Sequence, residues 1–228
     1  MIRYFNWHTH QLNLQSEVFA LVSRELGEWD ATRPFARNCY TLQLHPWFLP
    51  ERFRLLDDAF RQAAGQAAAV GEIGLDRLRG PELPVQQQYF LAAAAVAEQV
   101  RKPVILHNVR TLAEIQAAAR QLRPTVPWIL HRFAGNAAQF EQLLEQGFYF
   151  SLGESALRQP DLLDCLAASA EARCRIGLET DDSAVEIGML YGSFADALRL
   201  EPEQLEQELK RNFQAVFKEA GGDGTGEI

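Results

Sequence analysis

Lysine is scarce in this chain. Of 22 basic residues only Lys102, Lys210 and Lys218 are lysines, and the formal net charge is −8. That balance excludes a protein that coats duplex nucleic acid through a broad basic surface, although a local basic cleft remains open to it. Arginine's planar fork suits bidentate contacts to phosphate or carboxylate, but the bias also follows genomic base composition and carries little weight. Cysteine is equally sparse. Cys39, Cys165 and Cys174 are an odd number without metal-ligand spacing, which speaks against a disulfide framework and predicts buried, reduced thiols. No apolar run approaches the roughly 20 residues that cross a bilayer. The N-terminus lacks the basic start and apolar core of a signal peptide, so a cytoplasmic location is expected. No repeat, linker or low-complexity segment marks a domain boundary. One domain over 1–220 is expected, with the Gly-rich tail 221–228 disordered.

Histidine is present in only five copies, and their placement is ordered. Asn6-Trp7-His8-Thr9-His10 follows the apolar Ile2, Tyr4 and Phe5, and its two imidazoles stand at i and i+2. Alternate residues of a strand share a face, so both rings point the same way. The other three each end an apolar run: Leu42-Gln43-Leu44-His45, Val104-Ile105-Leu106-His107 and Trp128-Ile129-Leu130-His131. Every histidine thus falls at a predicted strand end, and none on a predicted helix.

The apolar runs predict strands at about 2–8, 17–23, 38–44, 68–74, 103–107, 126–131, 147–152 and 174–179. Several are continuous rather than alternating, as in parallel sheets buried on both faces. Helices are expected from Pro50 to about Gly65, from Pro84 to about Val100, from Leu112 to Leu122, from the cap Asn136 to Gln146, from Pro160 to about Ala172, and from Pro202 to about Ala220. The Phe213/Phe217 stripe of the last helix is expected in the core. The connections after the first two strands are too short for a full helix. Eight strands with intervening helices indicate an α/β protein, a compact and distorted (β/α)8 TIM barrel. Active sites of such barrels lie at the C-terminal ends of the strands, where the histidines fall.

Two apolar strands also carry acids: Val70-Gly71-Glu72-Ile73-Gly74-Leu75-Asp76 and Arg175-Ile176-Gly177-Leu178-Glu179-Thr180-Asp181. A buried carboxylate is costly unless paired or bound to a metal. His8, His10, Glu72, His107, His131 and Asp181 form a nitrogen and carboxylate donor set without thiolate, suited to Zn, Mn or Mg hydrolytic chemistry. Six ligands exceed one tetrahedral catalytic ion and fit two divalent ions roughly 3.5–4 Å apart. Glu72, whose motif lies between the His-x-His strand and the two later histidine strands, is the expected bridge. Asp181 is the expected ligand that also accepts the proton of the attacking water.

Taken in order from about residue 6 to 217, the chain resembles the TatD-type metal-dependent deoxyribonucleases and hydrolases. The resemblance rests on His8-Thr9-His10, Leu44-His45-Pro46, Gly71-Glu72-Ile73-Gly74-Leu75-Asp76, Pro103 to His107, His131-Arg132-Phe133-Ala134-Gly135, Glu179-Thr180-Asp181 and Asn212 before Phe217. It implies a TIM-like barrel of the amidohydrolase type, a dinuclear metal site on the same six ligands, and hydrolysis of phosphodiesters, often 3′→5′ on single-stranded DNA. It also places His45 near the metals without ligating them, in contact with substrate or water. Asn6 stands where the family usually has an acid. Gln11 and Asn13 stand where an acid commonly follows the pair. Arg110 is displaced by one from the usual His-x-Arg, and Asp182-Ser183 replace a usual proline. The chain reads as a compact branch with trimmed loops after strands two and eight.

Beyond the ligands, Glu179 is expected to hold a neighbouring group in place, and Asp76 to serve structure or support. Arg77, Arg110 and Arg132 lie just past strand ends and are candidates for holding a phosphate. Trp7, Trp47 and Phe48 are candidates for stacking on a base, with core or rim packing as the rival. Three functions follow: a phosphodiesterase, a small-molecule amidohydrolase or esterase on the same two-metal site, or an inactive barrel that binds. No membrane and no obligate protein partner is expected.

Overall fold

The computed structural model describes residues 1–28 and 37–217. The predicted tail 221–228 lies outside them. In chain order the strands are β1 (Tyr4–Thr9), β2 (Val18–Glu25), β3 (Asn38–Gln43), β4 (Val70–Asp76), β5 (Val104–Val109), β6 (Trp128–Leu130), β7 (Tyr149–Leu152) and β8 (Ile176–Leu178), and they have the order of a parallel closed barrel. The fold class is therefore the expected (β/α)8. The helices are α1 (Asp58–Gln66), α2 (Leu83–Val100), α3 (Leu112–Leu122), α4 (Ala137–Glu145), α5 (Pro160–Ala168), α6 (Ala170–Arg173), α7 (Ile187–Leu198) and α8 (Pro202–Val216). Among the described residues no helix is long and apolar enough to cross a membrane.

Three helices differ from the sequence reading. The helix expected from Pro50 begins only at Asp58, because Asp57 caps it by accepting the Phe60 N–H at 2.9 Å. Phe53 instead packs edge-on against Tyr89, 4.9 Å between centroids. The helix expected over 160–172 is broken at Ser169, whose hydroxyl caps α6 through the Ala172 N–H. A 12-residue helix, α7, stands where the sequence reading placed only a trimmed loop. Its buried Ile187, Leu190, Tyr191, Phe194 and Leu198 do carry helical spacing, but Gly188 and Gly192 weakened the signal. The cysteines are free, as expected, yet not fully buried: Cys39 and Cys165 are half-buried and Cys174 is exposed.

The chain divides into two compact units. Of the described residues, unit 1 comprises 1–22, 37–39 and 131–217, and unit 2 comprises 23–28 and 40–130.

In unit 1, β1 pairs in parallel with β2 and β8, and β8 with β7. Its core is aromatic. Phe5 meets Phe213 at 4.7 Å, and Trp7 meets Phe217 at 5.2 Å. The Phe213/Phe217 stripe is thus core, as its spacing indicated. Trp7 is 1% exposed and its indole lies directly over Gly177, where any Cβ would collide with the ring. Trp7 is therefore a core residue and not a stacking platform. Asn212 anchors the start of β8 by donating to the carbonyls of Arg173 (2.7 Å) and Ile176 (2.8 Å).

In unit 2, β4 pairs with β3 and β5, and β5 with β6. The glycines of β4 set its approach to β5. Gly74 has φ +145°, and a Cβ there would strike the backbone of His107. The same strand shifts register between Val70 and Ile73, which places Gly74 opposite His107.

Candidate functional site

Among the described residues each unit carries a cluster of histidines and carboxylates at its strand ends. In unit 1 the first strand supplies His8, fully buried, and His10 lies one residue past its end. Backbone hydrogen bonds fix the acid that faces them. The Asp181 N–H donates to the His8 carbonyl (3.0 Å), and the His10 N–H donates to the Asp181 carbonyl (3.3 Å). Asp181 Oδ1 then lies 3.5 Å from His8 Nε2 and 3.4 Å from His10 Nε2. Burial pushes the Asp181 carboxyl up, but hydrogen bonds with His10 and His8 and the nearby His8 and His131 outweigh it and hold the group far below the usual carboxylate range. Its other oxygen, Oδ2, accepts from Arg132 at 2.7 Å. Arg132 also reaches Asp182 at 3.4 Å.

The fourth donor of unit 1, His131, has its ring 4.9 Å from that of His8. Its Nδ1 lies 3.3 Å from Glu179 Oε1. Glu179 is fully buried and accepts further from the Arg132 backbone N–H at 2.7 Å and from the Ser151 hydroxyl. With Nδ1–H donating to a carboxylate, the other ring nitrogen presents its lone pair, the arrangement common behind metal-bound histidines. Asn6, where an acid is usual, bonds twice to Thr180, accepting from its N–H (3.1 Å) and donating to its hydroxyl (2.8 Å). It braces the residue before Asp181.

In unit 2 the centre is Glu72, 2% exposed. Glu72 Oε1 lies 2.9 Å from His107 Nδ1 and 3.4 Å from His45 Nε2. The far nitrogen of His107, Nε2, lies 3.0 Å from Asp76 Oδ2. Asp76 is in turn held by the Trp47 indole N–H (2.5 Å) and by the backbone N–H groups of Leu78 (2.7 Å) and Arg79 (3.1 Å). Burial raises its carboxyl, and the bonds from Trp47, Leu78 and His107 more than reverse that. His45 Nδ1 accepts the Trp47 backbone N–H at 3.1 Å. The neutral His45 ring therefore carries its proton on Nε2 and presents a donor rather than a lone pair.

Of the six predicted ligands, unit 1 brings together His8, His10, His131 and Asp181, and unit 2 brings together Glu72 and His107. The donor atoms of His8, His10 and Asp181 lie within 4.8 Å of one another, as do those of His45, Glu72 and His107. Nitrogen and oxygen donors at that spacing fit divalent cations, His10 half-buried and the others buried, with His45 beside the donors of its cluster as an N–H rather than a ligand. The predicted phosphate contacts fall differently. Arg132 stands within the unit 1 cluster. Arg77 is exposed, ion-paired with Glu114, and donates to the Arg110 carbonyl at 3.0 Å, with Arg110 exposed beside it. The sequence marked Asp76 for structure or support and Trp47 for stacking or packing, without their mutual bond, and did not raise Ser151. The signal for Ser151 was thin: one small polar residue in an apolar strand, β7.

Residues 18–218 match the family model described as TatD related DNase. The chain belongs to that family. A Haemophilus influenzae protein named as an uncharacterized metal-dependent hydrolase is 28% identical over 124 residues, 50% of this chain and 47% of that protein. The 3'-5' ssDNA/RNA exonuclease TatD of Edwardsiella piscicida is 37% identical over 86 residues, 37% of this chain and 33% of that protein. The matched stretches thus span about half or less of these relatives. Among solved structures, the TatD homologue YjjV of Escherichia coli has a TM-score of 0.75 at 20% identity, covering 95% of this chain and 98% of that one. That likeness shows the fold.

Proposed function

We propose that the protein is a metal-dependent hydrolase of phosphodiester bonds, acting on single-stranded DNA or a nucleotide-like diester from the 3′ end. The observation that carries this reading is the doubled device of the site: in each unit a histidine donor is backed by a buried carboxylate, His131 by Glu179 and His107 by Asp76. Such backing organises donors for cations. Membership of the TatD family and the exonuclease name of one relative support the substrate class.

His8, His10, His131 and Asp181 would hold one divalent ion, and Glu72 with His107 a second. Bound ions of this kind polarise a phosphoryl oxygen and acidify water. The chain's own groups do the rest. Asp181 Oδ1, with Oδ2 fixed on Arg132, takes the proton of the attacking water. His45 offers its Nε2–H to a phosphate oxygen. Arg132, half-exposed and already turned toward the acids, carries the charge nearest the phosphate.

The test is cleavage of a 3′-labelled single-stranded oligonucleotide by purified protein loaded with Mg, Mn or Zn, beside a chelator-treated sample. Metal-restored release of mononucleotides is expected. Hydrolysis of carboxylic esters or amides with every diester left intact would overturn the reading and favour the small-molecule esterase alternative.

A further inference from the structure

A cavity of about 320 Å³ opens in unit 2 beside the His45 ring. Its walls include Leu44, Phe48, Leu49, Leu56, Phe60 and Tyr89. Its volume lies at the low end of the roughly 300–1,000 Å³ of small-molecule sites. It therefore suits one ring system rather than a run of nucleotides. Among the described residues the charges at the walls are Glu25 and Asp57 against Arg54. Two acids to one arginine make this a poor place for a phosphate and a good one for a neutral group. The floor is rigid. Phe60 and Tyr89 are buried, the Tyr89 hydroxyl is bonded to the Arg54 N–H (3.0 Å) and the Arg52 carbonyl (3.1 Å), and the Asp57 carboxylate caps α1. Phe48 is different. It is 67% exposed, with its ring 5.5 Å from that of His45.

His45 belongs both to this cavity and to the cluster around Glu72. Whatever occupies the cavity is thus one imidazole away from the acid. We infer that the cavity is a nucleobase pocket, which takes the base of the nucleoside next to the scissile phosphate and stacks it on Phe48. The inference rests on the phosphodiesterase reading above and names the group that reading leaves open. A planar, neutral base matches the size, the charge and the exposed ring, and stacking is tolerant of base identity.

Two diesters with the same leaving group test it: thymidine 5′-monophosphate p-nitrophenyl ester and methyl p-nitrophenyl phosphate. The metal-loaded full chain is expected to show a KM about 10-fold lower for the thymidine ester, a size set by one base–aromatic stack. Phe48→Ala should remove that advantage, and Phe48→Tyr should retain it. Calorimetric titration with thymidine alone, without metal, reads the pocket independently of catalysis, with ribose as the control. Thymidine binding that Phe48→Ala abolishes supports the pocket even if neither diester is cleaved, in which case the hydrolase reading alone fails. Equal KM for both diesters, with no response to Phe48→Ala, overturns the pocket while leaving the hydrolase intact. Absence of both thymidine binding and cleavage overturns both.

Discussion

The two clusters solve the same problem with different counter-charges. In unit 1 a guanidinium touches the candidate ligand acid itself, Arg132 on Asp181. In unit 2 the central acid, Glu72, faces two imidazoles, and the supporting Asp76 is held by an indole and two backbone N–H groups. A neutral donor leaves a carboxylate's charge for a cation, whereas an arginine shares it. Glu72 is therefore the better candidate for tight cation binding, and Asp181 for a role that needs a fixed, ionised oxygen.

The largest effects test the acids directly. Asp181→Asn and Glu72→Gln are each expected to lower kcat/KM by about 10²–10⁴-fold, the range for lost acid–base function. They should differ in metal content. By elemental analysis, Glu72→Gln loses more metal than Asp181→Asn if unit 2 dominates cation binding. Equal loss in both variants breaks the contrast between the clusters.

Smaller effects follow one step back from the donors. Glu179→Gln and Asp76→Asn are each expected to weaken metal affinity by about 10–100-fold, measured by equilibrium dialysis. Glu179→Gln should be the more harmful. Glu179 is fully buried and accepts from Ser151 and the Arg132 backbone as well as facing His131, so the amide puts a donor among donors. An Asp76→Asn effect as large as that of Glu179→Gln would show that Trp47 cannot compensate.

The candidate donors stood out in the sequence because each histidine ends an apolar run, Glu72 interrupts one and Asp181 follows one. Strand ends are what hydrophobic patterning marks most clearly, and all eight strands follow from it. The supports were not legible in the same way. Asp76 touches His107 only because Gly74 lets β4 approach β5 and the register shift aligns them. Trp47 reaches Asp76 through a turn that His45 caps. Ser151 and Asn6 meet Glu179 and Thr180 across strands far apart in the chain. Such pairings depend on register, which periodicity does not encode. Helix α7 escaped for a local reason, its two glycines, and the late start of α1 for another, the Asp57 cap.

Unit 1 also places arginine against acid away from the site, and there the consequence is stability rather than chemistry. The buried Arg173 donates to Glu208 at 2.8 Å and to the Leu166 carbonyl at 2.8 Å, tying α8 to α5 and α6. Burial pushes the Glu208 carboxyl up, but the bonds from Arg173 and Gln204 outweigh it and its pKa is lowered. A group whose folded pKa is depressed stabilises the fold above its unfolded value, and that contribution fades as pH falls through the folded one. Glu208→Gln is thus expected to cost about 1–3 kcal/mol at pH 7 by urea unfolding, as for a hydrogen bond to a charged group. The cost should shrink steadily below about pH 4.3, the ordinary value for a glutamate. A cost that stays constant from pH 7 to pH 3 would mean that Glu208 contributes packing alone. Arginine would then matter in unit 1 at Asp181 and not along α8.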